Sequence, residues 1–211
     1  MLTAVILAAG EANRMGELKQ LLDWEEKNTI LGKTVDNLMA AKIVDEELKI
    51  VVGAQKKKVK KYLEKKYSSE LKRGNLKIVE NDDYQQGMMS SVKKALTELA
   101  AGNQHLLFTL ADKPCIGPRI YRELMQKCLE LEAEIFLPEY QGRPGHPVII
   151  KNKFRKTALK LEGEGGLRNL FALKPDKIYH YSCDYPEITV DLDFKKDYQK
   201  YRDNNFQLKN K

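Results

Sequence analysis

Ala4-Val5-Ile6-Leu7-Ala8-Ala9-Gly10-Glu11-Ala12-Asn13-Arg14-Met15-Gly16-Glu17-Leu18-Lys19 sets the terms on which the rest of the chain is read. The run Ala4 to Ala9 has the length and β-branched content of a strand buried on both faces, and it stops abruptly at Gly10. A loop follows. Gly10 and Gly16 lack a β-carbon, so the backbone there can turn with positive φ and bring its N–H groups close to a ligand; Arg14 and Lys19 add two cations. Bare amides with an arginine and a lysine describe a cradle for a polyphosphate. The spacing excludes two common cradles. A Walker loop places its lysine directly after the second glycine, whereas Glu17 and Leu18 intervene here, and the dinucleotide fingerprint needs three glycines at tighter spacing.

The stretch from Leu7 to Lys19 resembles the signature L-A-A-G-x-x-x-R-M-G-x-x-K of the nucleotidyltransferases related to MobA and MocA, which build molybdenum cofactor dinucleotides. The resemblance implies a three-layer α/β/α fold, a Rossmann-like, GT-A-like nucleotidyltransferase with a mainly parallel twisted sheet. It also implies that Leu7, Ala8, Ala9, Gly10, Arg14, Gly16 and Lys19 bind the nucleotide. Within that family L-A-A-G loops accompany the cytidylyl branch, so Ala9 points to CTP.

The composition fits such a protein. With 211 residues and 42% hydrophobic content, the chain can bury one core, expected over residues 1–203 with a polar tail at 204–211. No apolar run is long enough to span a bilayer, and the three cysteines, Cys115, Cys128 and Cys183, lack a C-x-x-C pair; a cytoplasmic protein with reduced thiols and no membrane association is expected. The net charge is +7. Much of the excess lies in Gln55 to Tyr67, where lysines surround Val59, Tyr62 and Leu63 at helical spacing, the pattern of a solvated helix face; no stacking platform accompanies it, so no nucleic acid partner is expected.

Further along, strands and helices alternate. Ile30, Leu31, Val35, Leu38 and Met39 repeat with helical period behind a capping Thr29, Leu48 to Gly53 and Leu76 to Val79 read as strands, and the order implies right-handed βαβ crossovers. The polar connection Glu80 to Val92 pivots on Gly87, with Ser90 and Ser91 at a helix start where hydroxyls cap amides or meet a ligand. It resembles the N-x-x-x-x-x-G-M-x-S-S stretch of the MocA-like enzymes, which implies nucleotide contacts from Asn81, Gly87, Ser90 and Ser91. The apolar strand Leu106 to Ala111 delivers Asp112-Lys113-Pro114 at its carboxyl end, the edge where ligands bind in open α/β sheets. Asp112 there can cap the helix near Pro118 or hold Mg2+ with waters and phosphate oxygens. Its resemblance to the family's L-x-D-x-P favours the metal.

In the second half, Gln141 to Pro147 is turn-rich and Glu162 to Arg168 breaks before a short helix. Both resemble family motifs, G-x-P-G-H-P and G-D-x-G-x-R, of a small acceptor-binding insertion, implying acceptor contacts from His146, Gly166 and Arg168. Finally, Glu187 to Asp193 alternates like a strand. It resembles the closing V-x-D-x-D-T-x-E-D motif, with Phe194 and Lys196 departing from it, and the resemblance favours Asp191 over Asp193 as the second carboxylate at the metal.

Together these imply an Mg2+-dependent transfer of a nucleoside monophosphate, CMP from CTP, to the phosphate of molybdopterin, with Arg14, Lys19 and Asp112 catalytic. A molybdenum hydroxylase apoenzyme is a further expected partner. The rivals are transfer to a sugar phosphate or methylerythritol phosphate, and a non-catalytic accessory protein of molybdenum hydroxylases.

Overall fold

The computed structural model describes residues 1–11, 18–25, 28–97, 99 and 104–209. The chain forms β1 (Leu2–Ala8), a short hairpin of β2 (Asp23–Glu25) and β3 (Asn28–Thr29), α1 (Ile30–Ala40), β4 (Leu48–Val52), α2 (Lys56–Lys66), α3 (Ser68–Arg73) and β5 (Leu76–Glu80). Then come α4 (Met88–Thr97), β6 (His105–Leu110), α5 (Pro118–Glu130), β7 (Ile135–Tyr140), β8 (Arg143–Pro144), β9 (Val148–Lys151), α6 (Arg155–Ala158), α7 (Leu167–Leu173), β10 (Ile178–Ser182) and α8 (Lys195–Lys209). The boundary expected at residue 203 therefore falls inside the last helix.

The sheet runs β10-β7-β9-β6-β1-β4-β5, with β8 paired to β7. Strands β5, β4, β1 and β6 are parallel; β9 is antiparallel to both β6 and β7, and β10 is parallel to β7. The sheet is thus mixed but mostly parallel, as the alternation of elements expects. β1 lies inside it, between β6 and β4, and successive side chains alternate between the two helical layers. Ala4, Ile6 and Ala8 meet α1, α2 and α5 on one face, whereas Val5 and Ala9 meet α4 and α7 on the other. That two-sided burial is why the strand reads as one continuous apolar run.

Local signals held where they had a single physical cause. Thr29 caps α1, its side chain accepting from the Gly32 amide at 3.0 Å. The lysine-rich helix buries Val59 and Leu63, and Lys56 and Lys66 pair with Glu80 and Asp36, both at 2.8 Å. Tyr67 breaks that segment into α2 and α3, and Gly74 closes it in a left-handed conformation, φ 78°.

One strand is corrected. Residues 187–193 form no strand: Pro186–Thr189 is a 3-10 turn followed by extended chain. The alternation is real, but it serves a different surface, because Val190 and Leu192 bury against Trp24, Ile30 and Tyr198 beside the β2–β3 hairpin. The place next to β7 belongs instead to Ile178–Ser182, whose mostly exposed residues gave no pattern to read.

Candidate active site

The order of strands reverses between β1 and β6: the chain leaves β1 toward β4 and β5, then returns to β6 on the other side, with Leu7 opposite Leu110. In open α/β sheets the crevice beyond the carboxyl ends at such a point is where ligands bind. A cavity of about 430 Å³ opens there, lined by Leu7, Ala9, Gly10, Lys19, Ala111 and Asp112 among others. Arg14 and Gly16 lie outside the described residues. The returning arm of the loop is held from beneath. The buried Gln20 amide donates to the carbonyls of Ala8, at 3.3 Å, and Gly10, at 3.2 Å, fastening the 3-10 turn Lys19–Leu21 to the strand end. The side chain of Ala8 itself points into the core.

Lys19 is thereby delivered over the end of β6, where its ammonium bonds Asp112 Oδ2 at 2.6 Å and Asp193 Oδ1 at 3.1 Å. Burial alone lowers a lysine pKa, but the charges and hydrogen bonds of Asp112 and Asp193 outweigh it, so this ammonium is held above the ordinary lysine range. Asp112 is not a helix cap, since α5 starts from Gly117 with no side-chain cap. Its second oxygen, Oδ1, is buried and has no hydrogen-bond partner among the described residues.

The neighbouring Lys113 is 3% exposed and turns the other way, its Nζ bonding the Val190 carbonyl at 2.7 Å and Asp191 Oδ1 at 2.6 Å. The second carboxylate at Lys19 is Asp193, whereas Asp191, the one the resemblance favours, is hydrogen-bonded to Lys113. The alternation already noted explains why the two aspartates lie on the same side of the segment, with Val190 and Leu192 facing the core.

A second cavity, about 520 Å³, adjoins the first across a shared wall of Leu7, Met88, Leu110 and Glu164. Its other walls are largely apolar, among them Val92, Phe108, Leu137, Val148 and Phe171, with His146 and Arg168 as polar members. Two glycines let the halves of the molecule meet at the shared wall. Gly87 has φ 95°, and a β-carbon on it would lie 2.7 Å from Glu164 Cα; Gly166 has φ 56°, and a β-carbon there would lie 2.8 Å from Met88 Sδ. Gly166 thus serves by close packing, while its neighbour Gly165 lines the cavity. The His146 imidazole is partly buried in this lining, its Nδ1 has no hydrogen-bond partner among the described residues, and burial followed by the Lys113 charge pushes its pKa down to about 4. It is neutral near pH 7.

Not every expected nucleotide contact faces the first cavity. Gly87 and Ser91 line it, but Asn81 is fully buried, donating to Ser90 Oγ at 2.8 Å and Ser91 Oγ at 3.0 Å, while its own Oδ1 accepts from the Asp83 amide. Ser90 donates to the Gly87 carbonyl at 2.8 Å and faces a different hollow, beside Lys93 and Lys94. In this structure both build the turn: the buried asparagine needs partners, and the serines supply them. Missed by sequence reasoning were Gln20, Tyr84, Met88 and Glu164. Only Gln20, directly after Lys19, carried a local signal. Burial raises the thiols of Cys115, Cys128 and Cys183 to about 12, 12 and 11, and all three are free, so none is a ready nucleophile.

A mostly parallel sheet flanked by helices, with Lys19 beyond the end of β1, a carboxylate beyond the end of its neighbour β6 and a second cavity against the first, is a Rossmann-like nucleotidyltransferase fold. The MobA-like NTP transferase domain matches residues 4–190, and the chain belongs to that family. It is 29% identical over 196 residues to the molybdenum cofactor cytidylyltransferase of Escherichia coli K12, covering 92% of each chain. Among solved structures, a nucleotidyl transferase from Methanothermobacter thermautotroptrophicus superposes with a TM-score of 0.76 at 23% identity, covering 99% of both chains. Rv0371c of Mycobacterium tuberculosis, crystallised in complex with manganese, gives 0.68 at 21% identity over 96% of this chain and 98% of its own. Among the described residues, no helix is long and apolar enough to cross a membrane, and no group of three or more His, Cys, Asp and Glu side chains is placed to hold a metal.

Proposed function

We propose that this protein transfers CMP from CTP to the terminal phosphate of molybdopterin, releasing pyrophosphate. The observation that carries the reading is the Lys19 ammonium held between Asp112 and Asp193 in the lining of a cavity that shares a wall with a second one. One compartment suits a charged polyphosphate and the other a flat, largely apolar acceptor, which is the division of labour that joining the two requires.

The chemistry needs few groups. An oxygen of the acceptor phosphate monoester attacks the α-phosphorus of CTP, and the bond to the bridging oxygen breaks, so that pyrophosphate carries away the electron pair. The attacking phosphate has a second pKa of about 6 and is already largely ionised, so no protein base is needed. Neutral His146, in the acceptor compartment, is assigned to acceptor contact and not to proton transfer. Positioning and charge neutralisation supply the catalysis. Lys19, with Arg14 from the same loop, neutralises the departing phosphates, the Gly10 and Gly16 amides hold the chain of phosphates, and Arg168 takes the acceptor's anionic end with a fork suited to phosphate.

A divalent ion fits this donor set. Asp112 presents an unpartnered buried oxygen beside a second carboxylate, and carboxylates completed by phosphate oxygens and water are how Mg2+ is usually held. Asp112 and Asp193 would hold it. When bound, such an ion supplies Lewis-acid stabilisation of the charge developing on the phosphates.

The E. coli relative's name and the Leu7-Ala8-Ala9-Gly10 loop support CTP and molybdopterin as the pair. Pyrophosphate release, measured with CTP, GTP, ATP and UTP each crossed with molybdopterin, methylerythritol phosphate and a sugar phosphate, tests both choices. Turnover only with a different pair would reassign the substrates, and no turnover with any pair would favour a non-catalytic role.

A further inference from the structure

Lys113 is an oddity among the residues described. It follows Asp112 directly, yet its side chain is nearly inaccessible and lines neither cavity. Such a lysine must find partners for its charge. It finds both on one short segment: the Val190 carbonyl at 2.7 Å and the Asp191 carboxylate at 2.6 Å. Two residues on, that same segment places Asp193 against Lys19, 3.1 Å away. No strand pairing fixes this stretch, which is extended chain between a 3-10 turn and α8. Its hold on the sheet combines the packing of Val190 and Leu192 on the hairpin side with polar ties: the His146 amide donates to the Ile188 carbonyl at 3.0 Å ahead of it, and Lys113 grips residues 190 and 191 between that bond and the Lys19–Asp193 pair.

We propose that Lys113 is a positioning residue. Reaching from the end of β6, it latches residues 190–191, and the latch sets Asp193 at the distance from Asp112 at which the two carboxylates work as a pair. The position corresponds to the variable residue of the L-x-D-x-P phrase, to which the resemblance assigns no role. The inference rests on the transfer reading above, because the paired carboxylates are assigned to a divalent ion there.

The sign of the effect separates a latch from simple electrostatics. Removing a buried cation next to a cation site should tighten metal binding if charge alone matters. Removing a latch should loosen it. Partners that orient ligating groups typically account for about 10- to 100-fold in metal affinity.

The test is Mn2+ binding to the full chain in the presence of CTP without acceptor, followed by the free-ion electron paramagnetic resonance signal. Lys113→Met is expected to weaken Mn2+ binding about tenfold while the melting temperature shows a folded protein, and Lys113→Arg to restore much of it. Asp191 is largely exposed, its side chain 57% accessible, so Asp191→Asn should fold even if Lys113→Met does not. In an Asp193→Asn background the latch has nothing left to position, so adding Asp191→Asn should change Mn2+ affinity no further, whereas through-space effects would add. Unchanged or tighter Mn2+ binding in Lys113→Met, or additive losses in the Asp193→Asn background, would overturn the latch while leaving the transfer reading standing. If the wild-type protein binds no Mn2+ with any nucleotide, the transfer reading and the latch both fall.

Discussion

The two cavities share a wall and almost nothing else. The one beyond β1 and β6 is made by the parallel half of the sheet and carries its charges on strand ends and a pinned loop: Lys19 is locked to two carboxylates and Gln20 to two carbonyls. The other is closed by the second half, where β9 runs antiparallel and α7 packs its start against Met88; its walls are mostly hydrocarbon, with His146 and Arg168 as polar points. On the transfer reading proposed above, charge is placed where the substrate's chemistry is fixed. A triphosphate looks the same whatever base it carries, so rigid ions serve it, whereas an acceptor is recognised by shape with a few polar groups to set its direction.

If that division is right, damage should sort by compartment. The largest effect is expected from Asp112→Ala, a loss of about 10³-fold in kcat, on the scale of several kcal/mol of transition-state stabilisation, with the melting curve little changed. Wild-type turnover in this variant would remove the residue from its role. Lys19→Ala comes next. It takes the cation from between two carboxylates and should lower kcat/KM for the nucleotide about 10²-fold, leaving KM for the acceptor within twofold. Arg168→Ala should do the reverse at smaller scale, raising acceptor KM about tenfold without moving nucleotide KM. Steady-state kinetics varying each substrate separately would expose a failure of this sorting, since equal changes in both constants would mean that the cavities act as one.

The smallest effect concerns pH. His146 has its folded pKa lowered to about 4 from the ordinary 6.5, so the unfolded chain takes up a proton that the native state refuses. Its contribution to stability is full above pH 6.5 and is lost as pH falls toward 4, by about 1 kcal/mol between pH 7 and 5.5. His146→Gln should therefore lose less melting temperature than the wild type over that interval. An identical slope would show that the imidazole protonates freely in the folded protein.

The same asymmetry governed what could be read from the sequence. Around the parallel strands the strongest signals had one cause: β1 is apolar throughout because both its faces are covered, Thr29 caps α1, and Asp112 follows the most apolar strand of the middle of the chain. In the second half the same signals had other causes. Glu187 to Asp193 alternates because Val190 and Leu192 pack on Trp24 and Tyr198, with no strand partner, and β10, at the sheet edge with Tyr179 and His180 exposed, shows no periodicity at all. Asn81 and Ser90 were expected at the nucleotide through the resemblance, and a polar run around a glycine looks the same whether it faces a substrate or satisfies itself, as these two side chains do. The walls of the second cavity were invisible for a related reason: Leu137, Val148 and Phe171 have the sequence pattern of core, and only the packing reveals that they face a void.

Transfer itself is the claim on which all of this depends. The most direct test is pyrophosphate release by the purified chain supplied with CTP, Mg2+ and molybdopterin, with each component omitted in turn. The account predicts release that requires all three and yields a cytidylylated pterin product; release that proceeds undiminished without the acceptor, or none when all are present, would contradict it.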